Sequence, residues 1–134
     1  MSTALKSYTE ALPHLASSKH VLLTTFRKNG NPVATPVGSL IDNDTVFVLT
    51  DPATGKVKRI RNNSQVTISP CTMRGAIPQG APTVNATARL LDGPQTARVQ
   101  KLMKRRFVMY RLVSFVDRAL RRQRPLVAIA ITAT

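Results

Sequence analysis

Tryptophan is absent from the 134 residues, and tyrosine and phenylalanine contribute only two and four side chains. Indole stacking is thereby excluded as a binding device, and a core has to be assembled from Val, Leu, Ile and Ala. Cysteine occurs once, at Cys71, which excludes an intrachain disulfide framework and a thiolate metal cluster. With only His14 and His20 besides, and six Asp and Glu in all, the chain is too poor in ligands to point to a metal centre. No apolar run approaches the roughly 20 residues of a membrane span. Glu10 and His14 interrupt the stretch 1–16, where a signal peptide would need a long apolar segment. The expectation is a soluble, cytoplasmic protein with no membrane partner.

Acidic residues are outnumbered by 20 Lys and Arg, for a formal net charge of +14. Such an excess fits a solvated surface, an anionic ligand or a nucleic acid, and charge alone does not choose among them. The length suits one domain, 1–134.

Alternating and β-rich apolar patterns predict strands near residues 20–27, 32–41, 45–50, 65–71, 82–91 and 126–131. Asn29 and Gly30 supply the first hairpin turn through positive φ, and Asp42, Asn43 and Asp44 supply the second. Pro36 falls inside the second strand, which places it at an edge, at a bulge, or where its missing N–H faces something other than a strand. Cys71 ends the fourth strand and reads as a small, partly buried strand residue rather than a catalytic thiol.

Leu5, Tyr8, Leu12 and Leu15 give residues 3–18 a weak helical pattern that Pro13 should shorten or break. A second helix is expected to start at 51–54, capped by Asp51 with Pro52 in its first turn, and to run to about Asn62 with a left-handed exit at Asn62 or Asn63. Residues 95–122 carry apolar side chains three or four apart, from Val99, Leu102 and Met103 to Phe107, Tyr110, Val113 and Val116. Six strands with one short and one long helical segment suit a small barrel closed by helices. The fold class is β-dominated, with flanking helices.

The chemistry concentrates where the third strand ends and a helix begins. Thr50 closes the strand, and Thr54, Lys56, Lys58, Arg59 and Arg61 cluster around or just beyond the helix start. Free backbone N–H groups and cations together suit a phosphate. A solvated surface helix accounts for the same residues.

Two segments carry a family resemblance. Leu22, Leu23, Thr24, Thr25, Phe26, Arg27, Lys28, Asn29, Gly30, Asn31, Pro32, Val33, Ala34, Thr35, Pro36 and Val37 resemble the first hairpin of the pyridoxamine 5'-phosphate oxidase-like split β-barrel proteins. Gly55, Lys56, Val57, Lys58, Arg59, Ile60, Arg61, Asn62 and Asn63, with Gln65, Val66, Thr67 and Cys71, are similar to the second signature of the actinobacterial branch that uses the deazaflavin coenzyme F-420 in place of FMN. The resemblance spans residue 22 to the end.

It implies a homodimer of split β-barrels with cofactor clefts at the subunit interface. It places Thr35, Pro36 and Val37 beside the deazaflavin ring or its linker, and Thr50 at the end of the neighbouring strand. Lys56 corresponds to the phosphate-binding lysine, with Thr54 as its hydroxyl neighbour and Lys58 and Arg59 near the phosphate or the acidic tail. Two positions depart from the pattern: Gly55 stands where many flavin-binding relatives carry Arg, and Gly38 and Ser39 stand where relatives often carry a large aromatic residue. The first departure weighs against FMN more than against F-420.

The implied activity is hydride transfer between the deazaflavin and a small organic acceptor, a chemistry in which the protein mainly positions the cofactor. No catalytic residue is assigned. His14 and His20 read as structural or solvent-exposed, Tyr110 as a ring buried by its amphipathic helix, and Arg74 as an exposed loop charge. The alternatives are a flavin or deazaflavin binder without turnover, and a nucleic-acid module resting on Lys104, Arg105, Arg106, Arg111, Arg118, Arg121, Arg122 and Arg124. The last lacks an RNA-binding aromatic strand, a zinc module and a helix-turn-helix.

Overall fold

The computed structural model describes residues 7–106 and 126–134, and they form six strands and three helices. The strands are β1 (His20–Phe26), β2 (Pro32–Asp42), β3 (Thr45–Thr50), β4 (Gln65–Cys71), β5 (Val84–Leu90) and β6 (Val127–Ala133). They close an antiparallel barrel in the order β1-β2-β3-β6-β5-β4, with β4 returning to β1. The expected β-dominated barrel with flanking helices is the observed fold. Val21 and Leu23 of β1, Val46 and Val48 of β3, Val66 and Ile68 of β4, Val84 and Ala86 of β5, and Ile129 and Ile131 of β6 fill the interior. Aliphatic side chains thus do the work that the scarcity of aromatics demands.

The two hairpins use different turns. Asn43 and Asp44 both take positive φ, 50° and 61°, which gives the two-residue turn whose twist matches its strands. At the first hairpin only Gly30 is left-handed, with φ of 88°. Its N–H donates to the Arg27 carbonyl, and the Arg27 N–H donates to Asn31, so the loop is longer and Asn29 stays on the ordinary side.

Of the two expected outcomes, a short helix or a broken one, the structure has the first: α1 (Tyr8–Ser17) spans ten residues and is continuous through Pro13. Pro13 is exposed and so is Thr9, whose carbonyl the proline deprives of a partner, so water can satisfy it. Ser7 and Glu10 form a capping box at the start. Tyr8, Ala11 and Leu15 face the barrel, and the Tyr8 hydroxyl shares its one proton between the carbonyls of Asp44 (2.7 Å) and Ile131 (2.8 Å).

Burial pushes the Tyr8 phenol from its ordinary 10.0 up to about 12. Its neutral form is therefore favoured on folding. The stability it contributes is complete below pH 10 and is lost as pH rises toward 12. Tyr8→Phe should lower stability by about 1 kcal/mol at neutral pH and flatten that alkaline loss, as read by denaturant melts from pH 8 to 11. An unchanged alkaline profile would assign the loss to another group.

Helix α3 (Gly93–Arg106) begins two residues before the predicted 95, because Asp92 and Gln95 cap each other across its first turn. It packs on the outer face of the barrel through Val99, which joins Leu91 just before the helix against Ala128 and Ala130, whose small side chains let it approach. The Thr96 hydroxyl accepts the Ala128 N–H at 3.0 Å and ties the helix to β6. The expected continuation to 122, with Phe107, Tyr110, Val113, Val116 and the arginines after 106, lies outside the described residues. No helix among the described residues is long and apolar enough to cross a membrane.

Candidate functional site

Strand β2 is shared unequally between its neighbours. Residues 32–38 pair with β1, whereas pairing with β3 begins only at Ser39. The Ser39 N–H donates to Lys19 on the β1 side. Successive amides alternate in direction, so Pro36, three residues earlier, turns its nitrogen to the opposite edge, which no described strand covers. Pro32 has the same parity. Both prolines therefore sit where no ladder bond is lost, and they discourage another strand from adding there.

Thr35 and Val37 are half-buried, with Thr35 opposite Leu23 and Val37 opposite Val21 on the interior face. Pro36 is exposed on the other face, where a Cβ on Gly75 of the loop after β4 would stand 3.6 Å from its ring. The three predicted ring neighbours consequently divide between two faces of one open-edged segment.

Thr50 is buried at the end of β3, paired with Val127. The predicted helix start at 51–54 is a turn instead, and α2 (Gly55–Asn62) begins after it. Asp51 accepts the Ala53 N–H on its side chain at 2.8 Å and the Thr54 hydroxyl on its carbonyl at 2.9 Å. Asp51 is spent on the turn rather than on the helix. Thr54 is the N-cap residue yet makes no side-chain cap, and its hydroxyl proton is engaged by Asp51 rather than free for a ligand. The exit is also corrected: Asn63 is extended, with φ of −149°, not left-handed.

Val57 and Ile60 bury the inner side of α2. Helical spacing sets Lys56 and Arg59 on one flank of that stripe, with Lys58 and Arg61 on the other. Lys56 is half-buried, and burial, then the nearby Arg59 guanidinium, hold its ammonium below the ordinary lysine value, with Asp51 opposing. Arg59 Nε donates to the Thr25 hydroxyl at 2.6 Å. Thr25 is buried on β1 and was not among the predicted site residues, although a threonine on the inward parity of a strand signals a polar group that needs a partner.

The arrangement can hold an anion. It combines uncapped amides, one desolvated ammonium and one guanidinium, with a single carboxylate in opposition. Cys71 is buried, and burial pushes its thiol up, away from the thiolate that nucleophilic chemistry needs. No group of His, Cys, Asp and Glu among the described residues could hold a metal ion. A cavity of about 210 Å³ lies between the β2–β3 turn and α3, bounded by Phe47, Arg89 and Arg98. Another, of about 370 Å³, lies beside His14, Pro70 and Gln79. Neither includes a predicted site residue.

Residues 9–134 match the family described as pyridoxamine 5'-phosphate oxidase. No curated protein matches the chain. Among solved structures, the heme storage protein HutZ of Vibrio cholerae has a TM-score of 0.68 at 16% identity, over 96% of this chain and 92% of that one. A protein from Listeria innocua described as a pyridoxamine 5'-phosphate oxidase has a TM-score of 0.63 at 19% identity, over 94% and 92%. An F-420 reductase has a TM-score of 0.56 at 16% identity, over 90% and 91%. At such identities the likeness is one of fold. The three names involve different small molecules, so the ligand has to be argued from this chain's own residues.

Proposed function

Since the chain belongs to the pyridoxamine 5'-phosphate oxidase family, we propose that it is an oxidoreductase that binds the deazaflavin coenzyme F-420 and passes a hydride between it and a small organic acceptor. The observation that carries the reading is the half-buried Lys56 on α2, held beside Arg59 where strand β3 ends. An ammonium that burial and a neighbouring cation both disfavour is stabilised by an arriving phosphate.

In this reading Lys56 and the first-turn amides of α2 hold the coenzyme phosphate. Arg59 lies on the same flank, and Lys58, on the other, is placed for the acidic tail. Thr35, Pro36 and Val37 line the ring along the open edge of β2, and Thr50 closes the end of the neighbouring strand. Thr54 shapes the turn, with its hydroxyl donating to Asp51. When bound, the coenzyme supplies the hydride chemistry, and the chain's share is to bind, orient and exclude water. FMN is the alternative ligand; Gly55 in place of an arginine speaks against it.

Optical titrations with oxidised F-420 and with FMN test this. Saturation at one F-420 per chain, with FMN weaker, is the expected result. Preference for FMN would overturn the choice of cofactor, and binding of neither would overturn the reading.

The open edge of β2 leaves one side of such a cleft without a wall, and a second copy of the chain is the proposed wall. Sedimentation at micromolar concentration should give twice 14.7 kDa. A monomer at that concentration that still binds F-420 tightly would contradict the shared cleft.

A further inference from the structure

We propose that Gly55, Arg59 and Thr25 act as one device that fixes a second cation over the phosphate-binding turn beside Lys56: the glycine makes room for the guanidinium and the threonine anchors it. The inference deepens the reading of Lys56 as the phosphate residue and rests on it.

Gly55 is the first residue of α2, and its φ is not among the positive ones, so the backbone does not require glycine there. Glycine is also a poor helix former. What its missing side chain does is leave space. A Cβ at Gly55 would stand 2.7 Å from Arg59 Nη1 and 3.5 Å from Cζ. The guanidinium thus lies back over the first turn of α2, in the volume any other side chain would enter.

Thr25 holds it there. Its side chain is buried, 1% exposed, and its hydroxyl accepts from Arg59 Nε at 2.6 Å. That bond uses one of the five guanidinium donors and leaves the four on Nη1 and Nη2. Among the described residues no carboxylate is seen in a salt bridge with Arg59; Arg98 pairs with Asp42 on another face. Two like charges are therefore held on one flank of a helix start, with Asp51 opposing the one on Lys56. A fold that fixes them there gains only when an anion arrives.

Arg59 is here a binding residue and Thr25 a positioning residue. The test uses full-length Gly55→Ala, Thr25→Val, Arg59→Gln and Lys56→Ala, with Thr25→Ser as the control that keeps a hydroxyl. Read out are the titration midpoint of the Lys56 ammonium by NMR, the affinities for inorganic phosphate and for F-420, and the thermal midpoint. Gly55→Ala, Thr25→Val and Arg59→Gln should each raise the Lys56 midpoint toward the ordinary lysine value, because the neighbouring charge moves away or is removed. Each should weaken phosphate and F-420 binding roughly fivefold or more. Thr25→Ser should stay near wild type.

Gly55→Ala should leave the thermal midpoint near that of the wild type, since the better helix former offsets the Arg59–Thr25 bond that moving the guanidinium gives up. That split between retained stability and lost affinity is what mere packing would not produce. Gly55 is exposed, so this variant decides the matter even where Thr25→Val fails to fold. If Gly55→Ala and Arg59→Gln leave the midpoint and the affinities unchanged while Lys56→Ala weakens binding, the device is wrong and the Lys56 reading stands. If Lys56→Ala also changes nothing, both fall.

Discussion

Lys56→Ala should weaken F-420 binding by about 1.5–3 kcal/mol, roughly tenfold to 150-fold, the range for a hydrogen bond to a charged group. The fold should be unaffected. Lys56 is only half-buried, makes no hydrogen bond to another element among the described residues, and its ammonium is held below the ordinary lysine value, which marks a charge that folding disfavours. Removing a group in that condition takes away little native stabilisation and a large share of anion affinity. The wild-type pH profile follows from the same sign. The charged ammonium is the binding form, so affinity should decline as pH rises through a midpoint below 10.5, and the step should vanish in Lys56→Ala. Fluorescence titrations from pH 7 to 10 on both proteins measure the two effects together. An affinity that is unchanged in a folded variant would remove Lys56 from the site.

The basic residues make a weaker case at long range. At about 0.15 M salt the screening length is roughly 8 Å, so attraction from distant arginines fades before a close phosphate contact does. Under the proposed reading, F-420 binding that persists in high salt should come from the α2 flank and be lost in Lys56→Ala.

Strand positions were legible in the sequence to within about two residues at each end, because period-2 burial such as that of Val21, Leu23 and Thr25 is written directly into alternation. The turn at Asn43 and Asp44 was legible for the same local reason. The start of α2 was not. Asp51 and Pro52 carry the signature of a helix start, yet Asp51 is consumed by Ala53 and Thr54, and nothing local to the sequence says which of two competing hydrogen-bond patterns wins.

Register was invisible as well. Pro36 left an edge, a bulge or a non-strand neighbour open, and only the pairing of β2 with β1 through Gly38 and with β3 from Ser39 shows that it sits on an edge. The candidate site was half legible. Lys56 could be found from its neighbours in sequence, whereas the contact from Arg59 to Thr25 spans 34 positions and depends on how α2 is laid across the end of β1. Gly55 read as a departure from the family pattern that weighs against FMN more than against F-420. In three dimensions it is the space into which Arg59 fits.

Leu23→Ala should be the most destabilising of the substitutions considered, by about 2–5 kcal/mol. Leu23 is 1% exposed, lies opposite Thr35 on β2 and Ile68 on β4, and belongs to the barrel cluster. The one ring in this aliphatic core cluster, Tyr8, is pinned by its hydroxyl to the carbonyls of Asp44 and Ile131, and the hydrogen-bonded strands restrict collapse, so the cavity term adds to the lost transfer energy. For a chain of this size the thermal midpoint should fall by roughly 10–20 °C. F-420 at about 100 times its dissociation constant should restore about 2.7 kcal/mol, since binding to the folded state alone pulls the equilibrium. Calorimetry with and without ligand measures both shifts. The contrast with Lys56→Ala is the sharper test, because that variant should keep the midpoint of the free protein and lose roughly half or more of the ligand-induced rise. A Leu23→Ala loss under about 1 kcal/mol would mean that β1 and β4 close over the gap, and that the barrel end carrying Thr25 is softer than its paired register implies.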